Sequence, residues 1–318
     1  MIENLREMFI IAKSRKYPKN TLVSYNSDIK IFFDDIMKKE GCGELEAIKM
    51  VDSIFVEKFI NDNKQLIKDK EYSKSSLNRK LASLTLFYDW IISMGLLDIK
   101  HNPFKGVERF NDTESEEKDS LAIEEVKKLI QCTYEKRRGD KQFEFVSART
   151  RLIIALMTTT GMRIEEILNL QRSFIEPCDD DYIIVIPKEF SKNNKPRRVP
   201  LCGIVKKYYD EYLEIRNTID INSDLLILSN KYKKFTTKDS RSAIKKYVER
   251  IGITDRNIGN HSFRHTFRCV LTEKNTNESL LCCIGGWSRK RLGNQSDVYL
   301  HDDERLDRVK IEVCKDIL

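Results

Sequence analysis

No stretch of about 18 consecutive apolar residues occurs in the 318-residue chain, so no membrane-spanning helix is expected. The opening residues, Met1-Ile2-Glu3-Asn4-Leu5-Arg6, lack a basic region followed by an apolar one. No secretory signal is therefore expected, and the expected location is the cytoplasm. Eight cysteines are present but none has paired CxxC spacing. The adjacent Cys282 and Cys283 would chelate one metal poorly, so packed, reduced thiols and no metal site are the expectation. Internal repeats and low-complexity tracts are also absent.

What is present is 40% hydrophobic and 34% charged residues, the balance of a globular chain with a large solvated surface. At roughly 100–200 residues per domain, the length allows two domains. The net charge of +7 raises nucleic-acid binding only slightly, and its distribution matters more. Lys188 to Arg198 and Lys231 to Arg250 are dense in Lys and Arg, whereas Glu114 to Asp119 is acidic.

Residues 1–107 read as a small all-helical bundle. Leu5, Met8, Phe9 and Ala12 recur at helical spacing, and Thr21 can cap a long helix carrying Leu22, Tyr25, Ile29, Phe32, Phe33 and Ile36. A third helix is expected over 53–63. A fourth opens at Ser75 or Ser76, buries Leu77, Leu81, Leu84, Tyr88 and Ile91, and stops at Gly95. Lys74, Arg79 and Lys80 on this last helix are candidate phosphate contacts, or else an ordinary solvated face. Pro103 ends the bundle, and 108–119 is the expected linker to a domain over 120–318. That domain begins with a helix carrying Val126, Leu129 and Ile130, then a buried one over 148–158 stopped by Thr160-Gly161, and a short one from Arg163. Two strands, 182–186 and 197–201, flank a basic turn. Helices follow over 203–217, 238–252, 261–273 and 277–284, and Leu306, Val309, Val313 and Ile317 stripe a terminal one. The fold class is mainly α with a small antiparallel sheet.

The chain is organised around His261-Ser262-Phe263-Arg264-His265-Thr266-Phe267. His261 and Arg264, three apart on a helix, share a face, while Phe263 and Phe267 mark a second face that can pack into a core. An imidazole beside a guanidinium can bind a phosphate diester and handle a proton. His265, four after His261, suggests a metal pair, but Ser262 stands where a zinc-protease helix needs Glu, so His265 reads as a packed supporting residue.

Other segments complete an ordered set: Thr160-Gly161-Met162-Arg163-Ile164-Glu165-Glu166, the turn Lys192-Asn193-Asn194-Lys195-Pro196-Arg197-Arg198-Val199-Pro200-Leu201, Gly285-Gly286-Trp287-Ser288, and Asp297-Val298-Tyr299-Leu300-His301. With these in order the chain resembles the tyrosine recombinases, the class of phage integrases and Xer-type recombinases, over nearly its whole length. The resemblance implies a SAM-like core-binding bundle followed by a catalytic domain. It implies a site-specific DNA recombinase or integrase that cuts and rejoins duplex DNA through a 3′-phosphotyrosine. The implied catalytic residues are Arg163, Lys192, His261, Arg264, Trp287 and Tyr299.

The residue types suit that chemistry. Guanidinium groups match phosphate oxygens and stay charged. Trp287, where the family more often has His, would add an indole N–H. Tyr299 would be the nucleophile, Lys192 the general acid and His261 the group that accepts or orients the tyrosine proton. Glu166 would support Arg163 or the histidine. Lys195, Arg197 and Arg241 join Lys74, Arg79 and Lys80 as expected DNA contacts. The gap between Trp287 and Tyr299 is longer than the family's commonest spacing, with Arg289-Lys290-Arg291 in it.

No cofactor is implied, because the phosphotyrosine retains the bond energy. Partners would be double-stranded DNA, three further copies in a homotetramer on that DNA, and accessory DNA-bending proteins. The free chain would be a monomer or weak oligomer, and the terminal helix would dock on a neighbouring protomer or on its own domain. The resemblance is to the simple recombinases, so no small arm-binding domain is expected ahead of the bundle. Two other readings remain: a DNA-binding accessory protein of the same fold, and a topoisomerase-like or resolvase enzyme that cleaves and reseals without exchange.

Overall fold

The computed structural model describes residues 4–68, 73–110, 120–135, 140–191, 195–219, 221–287 and 303–318. The chain forms two compact units, 1–115 and 116–318, each with its own apolar core. The first contains α1 (Leu5–Lys13), α2 (Lys19–Glu40), α3 (Glu44–Met50), α4 (Ser53–Lys68) and α5 (Lys74–Ser93). Leu22, Ile29, Phe32, Phe33 and Ile36 on α2 are buried, as their spacing predicts. The helix begins two residues before Thr21, with Pro18 at its N-cap, where the missing N–H costs nothing. On α5 the cap is Ser73, whose hydroxyl accepts from the Ser76 amide at 3.1 Å. Phe9 meets Phe87 edge-on at 5.3 Å between ring centroids, and the buried Tyr88 hydroxyl donates to the Ile48 carbonyl at 2.8 Å.

Asn102 shows how the bundle ends. Its amide donates to the Thr85 carbonyl and the Asp89 carboxylate and accepts from the Phe104 amide, so the chain leaves α5 on a fixed path into Pro103. Asn78 then exchanges two hydrogen bonds with the Phe110 backbone, at 2.8 and 2.9 Å, which ties the following segment back onto α5.

The second unit is built around α7 (Lys141–Thr160), and every residue from Ser147 to Thr160 on it is buried. Its apolar half is the expected helix. The seven residues before it, Lys141 to Ser147, belong to the same helix because Asp140 caps it, accepting from the Phe143 amide at 2.9 Å. Around α7 stand α6 (Ile123–Cys132), α8 (Ile164–Leu168), α9 (Ile204–Asn217), α10 (Thr237–Arg250), α11 (Asn260–Glu273), α12 (Glu278–Gly285) and α13 (Asp303–Cys314). Arg149 on α7 is buried: it donates to the Leu228 carbonyl at 2.7 Å and lies 3.9 Å over the Phe235 ring, fixing the loop before α10.

The sheet has three antiparallel strands in the order β1 (Ile175–Cys178), β2 (Asp181–Ile186), β3 (Arg197–Leu201). The two expected strands pair from Tyr182↔Leu201 to Ile186↔Arg197. β1 carries Pro177, which argues against a strand in sequence but is tolerated on the sheet edge it occupies.

The terminal helix α13 packs against β3 of its own unit. Of the expected stripe, Leu306 and Ile317 are buried and Val313 packs against the core, but Val309 is 40% exposed, and Asp307, Lys310, Ile311 and Cys314 are buried as well. Two charged residues take core positions because they are paired there. Asp307 accepts from Arg198 on β3 at 2.8 Å and from Lys310 at 3.0 Å. Gly203 lets the chain pass under this helix, since a Cβ there would collide with the Lys315 carbonyl.

Candidate active site

The Gly161 turn is the floor of the site. Thr160 ends α7, and Gly161 reverses the chain at φ +60°, in the left-handed region that favours glycine. A Cβ at Gly161 would run into the Phe267 ring of α11, so glycine is required twice over. The turn delivers Arg163 to the N-cap of α8, where its amide donates to the Glu166 carboxylate at 2.7 Å. Glu166 sits one turn on, 3% exposed, and receives Arg163 Nη1 at 3.3 Å. Arg163 Nη2 reaches the Gly286 carbonyl at 3.2 Å, at the C-terminal cap of α12.

Arg264 comes from the first turns of α11, and its Nη1 donates to the Gly161 carbonyl. The guanidinium lies 4.1 Å over the Trp287 ring, and that indole stacks in turn on Phe267 at 6.0 Å and 16°. Cation, indole and phenyl thus form a pile that fixes the arginine in direction. A Cβ on Gly285 would collide with Trp287, so that glycine makes room for the indole. Buried Arg264 Nη2 has no hydrogen-bond partner among the described residues. Burial, and then the neighbouring Arg163, push the Arg264 guanidinium down to about 9, so it remains charged at neutral pH. Burial pushes the Glu166 carboxyl up, but the hydrogen bonds and charges of Arg197 and Arg163 outweigh it and hold it below its ordinary value.

His261 stands exposed in the first turn of α11, on the Arg264 side of the helix. His265 Nδ1 lies 3.3 Å from the Cys269 thiol. Ser262 and Thr266 anchor the helix: Ser262 Oγ accepts from the Gly259 amide, and Thr266 exchanges hydrogen bonds with the Leu121 backbone. Lys192 and Tyr299 lie outside the described residues, as does the whole of 288–298 that separates Trp287 from the tyrosine. Among the described residues, no three His, Cys, Asp or Glu side chains converge on a metal-sized site.

The expected DNA contacts divide. Lys195 and Arg241 are exposed, with Arg241 donating to Asn257 at 3.3 Å. Lys74 is half-buried at the start of α5, and Arg79 is held by Asp28 through two bonds of 2.8 and 2.9 Å. Lys80 is corrected: it faces inward, 8% exposed, with its ammonium 5.9 Å from the Phe59 centroid. Arg197 is corrected as well. It is buried and clamps Glu166 with both terminal nitrogens, so it belongs to the site rather than to the surface. The only signal in sequence was a Glu one turn after Arg163, whose buried charge requires cations.

Two arginines brought together at one turn, one of them with an unused buried donor among the described residues, form a receptor for a tetrahedral anion. The phage integrase family model matches residues 120–305, more than half of the chain. The tyrosine recombinase XerC of Listeria welshimeri is 26% identical over 275 residues, covering 83% of this chain and 82% of that protein. XerH recombinase bound to a palindromic difH substrate, in a post-cleavage complex, superposes with TM-score 0.64 at 18% identity, over 98% of this chain and 92% of that one. A lambda integrase tetramer bound to a Holliday junction gives TM-score 0.66 at 16% identity, over 93% and 80%. The chain belongs to the phage integrase family and is a tyrosine site-specific recombinase.

Proposed function

We propose that this recombinase cleaves duplex DNA with Tyr299 and exchanges strands between two sites as a DNA-bound homotetramer. The observation that carries the reading is the Gly161 turn, where Arg163 and Arg264 are brought together and one buried donor of Arg264 is left unused. A scissile phosphate seated there receives donors on its non-bridging oxygens, where charge builds as the diester is attacked. Tyr299 Oη attacks phosphorus and passes its proton to His261. The 5′ oxygen leaves with a proton from Lys192, giving a 3′-phosphotyrosine and a free 5′ hydroxyl. Attack by the 5′ hydroxyl of the partner duplex reverses the step and regenerates Tyr299. Because one phosphoester replaces another, neither ATP nor a metal is needed. Trp287 contributes by supporting Arg264 with its ring face, and its N–H is available to the same phosphate.

Residues 1–107 act as the core-binding domain, 108–119 as the linker and 120–318 as the catalytic domain, together closing on duplex DNA in the cytoplasm. Tetramer assembly is supported by the lambda integrase tetramer on a Holliday junction, which shares the fold. The test is a supercoiled plasmid carrying two copies of the site the protein selects from a random library. Strand exchange yields two circles or an inversion, depending on site orientation. Relaxation of the plasmid without recombinant products would contradict the reading, provided DNA-bending proteins had also been added.

A further inference from the structure

Glu166 carries two arginines at once, and it holds them unequally. Arg197 engages it with both terminal nitrogens, Nη1 at 2.8 Å from Oε1 and Nη2 at 2.6 Å from Oε2. The exposures of the two side chains are 7% and 2%, so this is a desolvated bidentate pair. Arg163 reaches the same carboxylate with one nitrogen at 3.3 Å, longer than a strong charge-assisted bond, and its side chain is 19% exposed. The carboxylate's short bond to that residue, 2.7 Å, goes to the backbone amide and leaves the guanidinium out.

The site therefore holds three guanidinium groups against one carboxylate, and the carboxylate is engaged mostly by Arg197. Arg197 is also pinned from its other side. Its Nε donates to the Ile284 carbonyl at 3.3 Å, and a Cβ on Gly286 would press on its guanidinium at 3.0 Å. Without Arg197, Glu166 would have Arg163 as its remaining cationic neighbour among its hydrogen-bond partners. The pair would close, and an incoming phosphate would have to compete with a buried carboxylate for that arginine.

We propose that Arg197 is a positioning residue: by occupying the Glu166 carboxylate it keeps the Arg163 guanidinium available to the substrate phosphate, without itself touching DNA. The inference rests on the reading of Arg163 as a phosphate-binding group. Arg197 sets the charge that the phosphate meets. It also joins the start of β3, the arginine-bearing start of α8 and the end of α12 in one ionic contact.

The test compares two nicked duplexes of the selected site, one with an ordinary phosphodiester at the scissile position and one with a neutral methylphosphonate. The readout is the ratio of the two cleavage rates. A partly unfolded preparation scales both rates alike, so the ratio is blind to stability. In Arg197→Gln, diester cleavage is expected to fall about a hundredfold, in the range for a lost charge-stabilising contact. Methylphosphonate cleavage is expected to fall far less, because the neutral group gains little from Arg163. Adding Glu166→Gln should return the ratio toward the wild-type value, since it removes the competing charge. Arg197→Lys, which keeps the cation but not the fork, should lie between and serves if Arg197→Gln does not fold. Equal slowing of both substrates in a protein that cleaves, with no recovery of the ratio in the double variant, overturns the inference alone. Wild-type protein that cleaves neither duplex overturns the reading of Arg163 and the inference with it.

Discussion

Asp307→Asn is expected to destabilise the second unit by about 3–5 kcal/mol, the cost of breaking a buried ion pair from one side. Asp307 and Lys310 are among the most deeply buried charged residues in the chain, at 2% and 1% exposure. Arg198 completes the network from β3 and also pairs with Glu176 at 3.0 Å, so it can turn to solvent when Asp307 is lost. Among the described residues Lys310 pairs with Asp307 alone, and its ammonium would be left buried beside an amide. The loss falls where α13 meets the sheet, so the terminal helix is expected to detach first. Trp90 lies in the first unit and Trp287 in the second, and the chain has no other tryptophan. Urea unfolding followed by fluorescence in a Trp90→Phe background therefore reports the second unit alone. Asp307→Leu with Lys310→Met should recover most of the loss, because apolar replacement of a whole buried pair is near neutral. A cost under about 1 kcal/mol, the range of a surface pair, would mean that the helix is not held by these charges.

Arg264→Lys is expected to lower the cleavage rate by about 10²–10³-fold while leaving affinity for duplex DNA much less changed. A lysine keeps the charge and loses the geometry. The guanidinium is used on three sides: Nη1 on the Gly161 carbonyl, one face on Trp287, and Nη2 buried with no protein partner among the described residues. An ammonium can satisfy the carbonyl or the phosphate but cannot present two separate edges while stacked on an indole. DNA affinity draws on many phosphate contacts, so one of them carries little of it. Filter binding alongside single-turnover cleavage separates the two quantities. Equal losses in both would mean that Arg264 contributes to ground-state binding alone.

Much of this was legible from residue spacing. The apolar stripe of α2, the stop at Gly161, the strands β2 and β3, and the placing of His261 and Arg264 on one helix face all follow from local periodicity and turn chemistry. Arg163, Arg264 and Trp287 were likewise nameable in order along the chain, and the structure brings them together at the Gly161 turn. What escaped was set by partners distant in sequence. Arg197 reads as one more cation in a basic turn, and only the fold brings it onto Glu166, 31 residues earlier in the chain. Lys80 misleads in the same way, since its ammonium faces the Phe59 ring inside the bundle. The α13 stripe was incomplete because hydropathy counts Asp307 and Lys310 as surface residues, when they are paired with each other inside the core. β1 was hidden by a proline that an edge strand accepts.

Covalent trapping tests the central claim most directly. A duplex of the selected site, nicked beside the scissile phosphate so that the leaving fragment diffuses away, is incubated without metal or ATP. The account predicts a protein–DNA adduct through a 3′ phosphate in the wild-type protein and none in Tyr299→Phe. An adduct that persists in Tyr299→Phe would place the nucleophile elsewhere, and specific DNA binding with no adduct in the wild-type protein would contradict the account.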